Sequence, residues 1–400
     1  FAADNINQLE NITLTSEVGT IGDIVVGVGT SVIISSASTV TVGTVESVSI
    51  GTHFSPPVGG TEDRGEDFVE GMMRFNMDLN TMEFYNGNEW RQFTYISDIK
   101  SSPSSRGRGV WMCGFSPNYT STIGFINVQS KGNEQAFGES VNGVAINKAG
   151  SANAIRGIWG GEQNPSGYST DMDYVTMASE GNSIDFGDLT QARPTYGGSF
   201  ASSTRAIWAG GYASGSAVNT MEYVQIMTLG NALDFGDLHT AVFNQHACSS
   251  PIRGFIISGS PSSFSKYQIS SIASKGNAEL GGEMTISFGS CAACSNSTRA
   301  VVFGGGSPPV DTIDFINLST EGNAVSFGTL SEVRMLGAAL ADSTRAVSVG
   351  GRNPSVVNTI EFVQIATGGL AEDFGDMTQP AAGRQKFMAC SDSHGGLGGF

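Results

Sequence analysis

The chain has 400 residues, 39% of them hydrophobic and only 14% charged, with 54 glycines, so a core can form in a chain broken by many turns. Its 20 basic residues against 37 acidic ones leave a net charge of −17, which excludes a simple role on nucleic acid, where a basic footprint is required. Five cysteines are too few for a disulfide scaffold, and no run approaches the roughly 18 apolar residues of a membrane span, so a soluble protein without membrane insertion is expected.

Residues 1–60 are expected to form a β-rich assembly segment and linker. TIGDIVVGVGTSVIISSASTVTVGTVESVSIGT is rich in Val, Ile, Thr and Ser in near-alternation, suited to strands but too short to bury a core alone. It therefore predicts order gained through other chains, in a homo-oligomer or against a partner. Residues 54–60 (FSPPVGG) read as a linker and 61–71 as an acidic solvated loop. Residues 61–104 form a second region, in which NTMEF at 80–84 and NGNEWRQF at 86–93 resemble two strands of the repeat that follows. No basic-then-apolar stretch reads as a signal peptide, and the chain opens on Phe1, so its initiating Met is expected upstream or removed.

From residue 105 to 400 one unit recurs. Its marker is an Arg opening a hydrophobic strand, ending in Gly-Gly most clearly at Arg205, Arg299 and Arg345, with looser copies at Arg108, Arg156 and Arg253 and with His394 in the same column. The steps are 48, 49, 48, 46, 46 and 49 residues. The first six units offer a small-residue run, the Arg run, a run such as NTMEYVQI or DTIDFINL, a Gly turn that is usually Gly-Asn, and a short run such as LDFGDL that is aromatic except in the fourth, where Gly281 replaces Phe. Four short β runs per unit without helical periodicity predict a β-propeller of four-stranded blades.

The Arg–hydrophobic–Gly-Gly strand followed by [TS]-[IM]-[DE]-[FY] resembles the kelch repeat over about 300 residues, with Phe186, Phe235, Phe327 and Phe374 where that family carries Trp. The fold expected is an all-β, kelch-like propeller. Seven blades are favoured, the seventh composite, with its outer strands from 80–94 and its inner strands from 387–400; six blades are the alternative. The low-complexity N-terminus, the RFNMDLNTMEFYNGNEW segment and the Gly-Asn-rich repeats together resemble tail-fibre and other virion proteins of tailed bacteriophages, marine ones especially. That resemblance implies a structural or host-attachment role in a virion, with other virion proteins as partners. The alternatives are a carbohydrate-binding propeller outside a virus and, third, a propeller hydrolase or oxidase.

No convergent catalytic set is legible, and no cofactor or metal is expected. DFGDL at 185–189 and 234–238 and DFGDM at 373–377 lack the other kinase motifs, and their paired aspartates read as turn closers rather than calcium ligands. Cys291 and Cys294 have no second pair to complete a zinc site. The Arg column is expected to bond, within each blade, to the Asp173, Glu222, Asp314 and Glu361 column on the next strand. Binding is expected on the face carrying the loops between second and third strands, through Tyr119, Asn164, Tyr168, Tyr212, Phe264 and Asn353, toward a host-surface glycan or protein.

Overall fold

The computed structural model describes residues 56–64, 69–78, 81–92, 107–257, 259–260, 265–287 and 289–398. The chain divides into two compact units, Phe1–Tyr95 and Ile96–Phe400. The assembly segment expected at the N-terminus lies almost wholly outside the described residues, as does Phe264.

In the first unit, Val58–Gly59, Met73–Asn76, Thr81–Tyr85 and Trp90–Gln92 form one sheet in that order. Glu83 is fully buried at its centre, with Arg64 Nη2 at 2.6 Å and Arg74 Nε at 3.5 Å. A buried carboxylate needs such partners, and the hydrogen bond from Arg64 holds Glu83 below the usual carboxylate range. Within the stretch read as linker and solvated loop, Val58–Gly59 pairs parallel to Phe75–Asn76, and the 3-10 turn Thr61–Arg64 delivers Arg64.

The second unit is all-β, with six blade-like sheets among the described residues, five of four antiparallel strands and one of four with a fifth, parallel edge strand. The second sheet comprises Ala149–Ala152, Arg156–Asn164, Gly167–Thr176 and Ile184–Asp188, and the third Ser199–Ala201, Arg205–Ala209, Thr220–Gln225 and Leu233–Asp237. The fourth comprises His246–Ser249, Arg253–Ile257, Lys266–Ser271 and Glu279–Glu283. The fifth comprises Ala292–Ser295, Arg299–Phe303, Val310–Asn317 and Val325–Arg334, edged by the parallel pair Gly369–Leu370. The sixth comprises Ala338–Ala341, Arg345–Val349, Thr359–Gln364 and Glu372–Asp376.

The first sheet is the composite one, and its pairing corrects the expectation that 80–94 and 387–400 share a sheet. Met388–Ser391 is its first strand, beside Arg108–Met112, Thr122–Asn127 and Gln135–Glu139. Thr81–Tyr85 pairs instead with Met73–Asn76 and Trp90–Gln92. The seventh member of the Arg column, His394, opens no strand; Gly395–Leu397 is a 3-10 turn. A Gly-rich tail has few side chains to pack and weakens a strand.

The first strands are small (AGSA, SFA, HACS, AACS, AALA, MACS), and each lies beside the first strand of the next sheet, with Met388–Ser391 beside both Ala338–Ala341 and Ala149–Ala152. They converge on a cavity of about 50 Å³ lined by residues of all six sheets. The apolar core is divided the same way. Six buried clusters each span two neighbouring sheets, and one joins Trp111, Ile126 and Val128 of the first sheet to Leu340, Val347 and Phe362 of the sixth.

The Arg column does not pair with the carboxylate column of its own sheet. Arg205 lies opposite Gln225 and Glu222 opposite Trp208, so Arg205 and Glu222 project from opposite faces, because faces alternate along a strand. Arg205 instead stacks on Tyr223, 5.2 Å from the ring centroid, and donates to the carbonyls of Ile272 and Ala273 in the next sheet at 3.1 and 2.7 Å. Arg108, Arg156 and Arg299 repeat this, reaching Met177, Ile226 and Ile365. Arg345 reaches from the sixth sheet to Val128 and Gln129 of the first at 2.9 and 2.8 Å. Arg253 has Ile269 where the others meet an aromatic, and it pairs with Glu321.

The carboxylates tie sheets together on the other face. Glu222 accepts from the Thr190 amide at 2.7 Å and pairs with buried Arg193 at 2.5 Å. In the first sheet the column position is Gly124, where a Cβ would collide with the Glu134 carboxylate. Glu134 fills the role from a neighbouring position, accepting from the Thr378 and Gln379 amides at 2.7 and 2.8 Å and pairing with Arg384 at 3.0 Å.

The Gly-Asn turns, read from sequence as punctuation, are further ties. Gly230 N donates to Phe186 O at 2.9 Å, and Asn231 Oδ1 accepts from Asp188 N at 3.1 Å. Asn133, Asn182, Asn277 and Asn323 repeat the side-chain bond, Asn133 joining the first sheet to Asp376 of the sixth. The DFGD repeats belong to this edge: a Cβ on Gly236, in the left-handed region at φ 142°, would collide with the Gly276 carbonyl of the next sheet.

Candidate functional site

Because adjacent strands run antiparallel, the loops between second and third strands and the crossovers into the first strands emerge at one end of the sheets. At that end, just before each first strand, stands one residue in the left-handed conformation: Asn147, Tyr196, Asn244, Ser290, Leu336 and Lys386, with φ between 56° and 60°. Non-glycine residues enter that region at a cost of about 1–2 kcal/mol each. Here a backbone belt holds them. Tyr196 N donates to Asn147 O, Asn147 N to Lys386 O, Lys386 N to Leu336 O, Leu336 N to Ser290 O and Ser290 N to Asn244 O, at 2.8–3.0 Å. These six residues, with His246, Gly337 and Met388, line a shallow depression of about 10 Å³.

Beside it lies an aromatic group. Tyr196 and Tyr212 both pack on Phe243, with ring centroids 5.8 and 5.0 Å away. Burial, with Tyr168 and Tyr212 adding to it, pushes the Tyr196 phenol up to about 12. Tyr168 is 42% exposed and Tyr212 partly so, which leaves ring surface for a ligand. Two residues expected at a binding face, Tyr168 and Tyr212, are thus drawn together around Tyr196. Sequence reasoning missed Tyr196, although it falls in a repeat column with Asn147 and Asn244. The other expected residues serve locally. Tyr119 packs edge-on against Phe115 at 5.9 Å, Asn164 accepts from Ser166 N within its turn, and Asn353 belongs to the short hairpin that carries Arg352.

At the opposite end the Gly395–Leu397 turn fits among first strands. His394 Nδ1 accepts from Gly396 N at 3.1 Å, so Nε2 carries the proton and donates to Ala152 O at 2.6 Å. A Cβ on Gly396 would collide with the Ala201 carbonyl.

One buried charge cluster lies between the first and second sheets. Lys148 Nζ is 2.8 Å from Glu162 and 2.5 Å from Asp173, and all three side chains are fully buried. Burial alone would push the Lys148 ammonium down, but Asp173 and Glu162 outweigh it and hold it above its ordinary value. Asp173 also accepts from Ser140 and Ser183 hydroxyls at 2.8 and 2.6 Å. With no surface open to substrate, the cluster is the local form of the carboxylate tie.

His246, lining the depression, is pushed down to about 3 by burial. Unfolded, the imidazole takes up a proton near 6.5; folded, it stays neutral until far lower pH. Its contribution is therefore whole above pH 6.5 and is lost as pH falls from 6.5 toward 3. The urea midpoint should fall over that range, and His246→Gln should flatten the upper part of the fall. An unchanged pH profile in the variant would contradict this assignment.

No family model matches the chain, and no curated protein is significantly similar to it in sequence.

Proposed function

We propose that residues 107–398 form a closed, kelch-like six-bladed propeller acting as a non-enzymatic recognition module, which binds a saccharide on the face bearing the left-handed belt. Closure is supported by every kind of tie that runs from the sixth sheet back to the first: the Arg345 bonds, the Asn133 staple, the Glu134 contacts and a shared apolar cluster. The observation that carries the binding reading is the packing of Tyr196 and Tyr212 on Phe243 beside a polar depression, with Tyr168 near enough to act on the Tyr196 phenol. Partly exposed aromatic rings next to amides and hydroxyls offer an apolar face and hydrogen bonds together, as a sugar ring requires.

In this reading the module is the outward, host-attachment part of a tail-fibre or similar appendage of a bacteriophage virion, assembled through the N-terminal segment as a homo-oligomer. That context is supported by the sequence resemblance of residues 1–95. Glycan-array binding by the intact chain tests the recognition role. Tyr168→Ala and Tyr212→Ala should each weaken the strongest binding by roughly tenfold with the melting temperature little changed. Unaltered binding in both variants would remove this face from the function.

A further inference from the structure

We propose that the belt-lined depression takes the carboxylate of an acidic saccharide, with Lys386 and Arg352 as its cationic partners. The proposal rests on the saccharide reading above and names its ligand class.

The chain carries a net charge of −17, yet this depression is lined by no carboxylate. Its lining is two amides, a phenol, a hydroxyl, a buried neutral imidazole and the ammonium of Lys386. Lys386 is partly buried, and its charge is disfavoured first by burial and then by Arg352, a second cation. Among the described residues neither cation has an ion-pair partner, whereas Arg193, Arg334, Arg384 and Lys148 are all paired with acids. Arg352 N donates to Met335 O at 2.9 Å, one residue from the Leu336 carbonyl that accepts from Lys386 N, so the two cations flank one stretch of the belt, where an anion between them is stabilising.

The shape limits what that anion is. The depression admits a group about the size of one water molecule, which suits a carboxylate oxygen. The rest of the ligand must lie on the surface, where Tyr168 and Tyr212 offer a shelf of ring area. Asn147 Nδ2 already donates to Gln163 Oε1 at 3.3 Å, so what its amide has to offer sugar hydroxyls is chiefly its acceptor oxygen. A nucleic acid would meet the repulsion of the whole acidic chain, whereas one carboxylate on an otherwise neutral sugar meets little of it.

The test uses the full chain and matched probes: trigalacturonate with its methyl ester, and sialyllactose with lactose, followed by calorimetry. At least one acidic probe should bind about tenfold or more tightly than its neutral partner, and added salt should weaken only the acidic one. Lys386→Gln and Arg352→Gln should each erase most of that preference, and Arg352→Gln, which lies outside the lining, should leave the neutral probe unchanged. Arg352 is exposed, so its variant keeps the test valid if Lys386→Gln perturbs the belt. Tyr168→Ala should weaken both members of a pair. Equal binding of acidic and neutral probes, untouched by either charge variant, would overturn this proposal and leave the saccharide reading standing. Binding of a hexaglutamate peptide in place of the acidic sugars would also overturn it. Failure of every saccharide, charged or neutral, would overturn the saccharide reading itself.

Discussion

A chain ending at Phe387 is expected to lose the cooperative fold of the whole second unit, not merely one strand. Met388–Ser391 supplies the first strand of the first sheet, and Asp392 accepts from the Gly107 and Arg108 amides at 2.7 and 3.0 Å. Without it, Arg108–Met112 becomes a bare edge and the first strands on either side lose a neighbour. Exposed edges recruit other chains, and the sum of lost contacts rivals the roughly 5–15 kcal/mol that holds an ordinary domain together. Size-exclusion chromatography should show aggregate in place of the native peak. A chain ending at Ser393 keeps the strand and loses only the His394 turn, so it should fold with a melting temperature a few degrees lower. A soluble, cooperatively melting protein from the shorter chain would refute the closure proposed above.

The second large effect is expected at Glu134. Replacing it with Ala leaves Arg384 fully buried without its carboxylate and strips a partner from Trp111 Nε1, 2.8 Å away, and from two backbone amides. Breaking a buried pair from one side costs about 3–5 kcal/mol. Gly124→Glu alone should be equally damaging, because its Cβ collides with the Glu134 carboxylate. The two changes together place a carboxyl where the second, third, fifth and sixth sheets carry theirs, so the double variant should recover well over half of the loss. Additive losses in a denaturation cycle would show that the two positions are not alternatives for one role.

The period, the four strands per unit and the columns were legible because packing repeats them. Less legible was where each column points. The Arg and carboxylate columns look like partners in the sequence, and only the register, with Arg205 opposite Gln225 and Glu222 opposite Trp208, puts them on opposite faces. The Gly-Asn turns read as punctuation because a turn and an inter-sheet staple need the same small residues. The expected closing strand misled because His394 keeps the spacing of the Arg column while its Gly-rich surroundings form a 3-10 turn. Substitutions that compensate one another were also hidden. Gly281 stands where other sheets carry Phe, and a Cβ there would collide with the Tyr267 ring, which occupies the space. Of the binding face, Tyr168 and Tyr212 could be named in advance as loop aromatics. Tyr196 and the belt could not, since a left-handed backbone at Tyr or Leu has no sequence signature.

The pairing of Met388–Ser391 with Arg108–Met112 also sets a schedule for biosynthesis. Arg108 and its partner strand are separated by 280 positions, from 108 to 388. At about 5–20 residues per second the ribosome needs on the order of 14–56 seconds to cross that interval. During that time Arg108–Met112 emerges beside Thr122–Asn127 with its other edge unfilled. A nascent chain can stack sheets two to five in turn, but the belt and the Arg345 bonds wait for the final few dozen residues. Polysome-bound intermediates should therefore be the form of this protein most prone to capture by chaperones or to pairing with a neighbouring nascent copy.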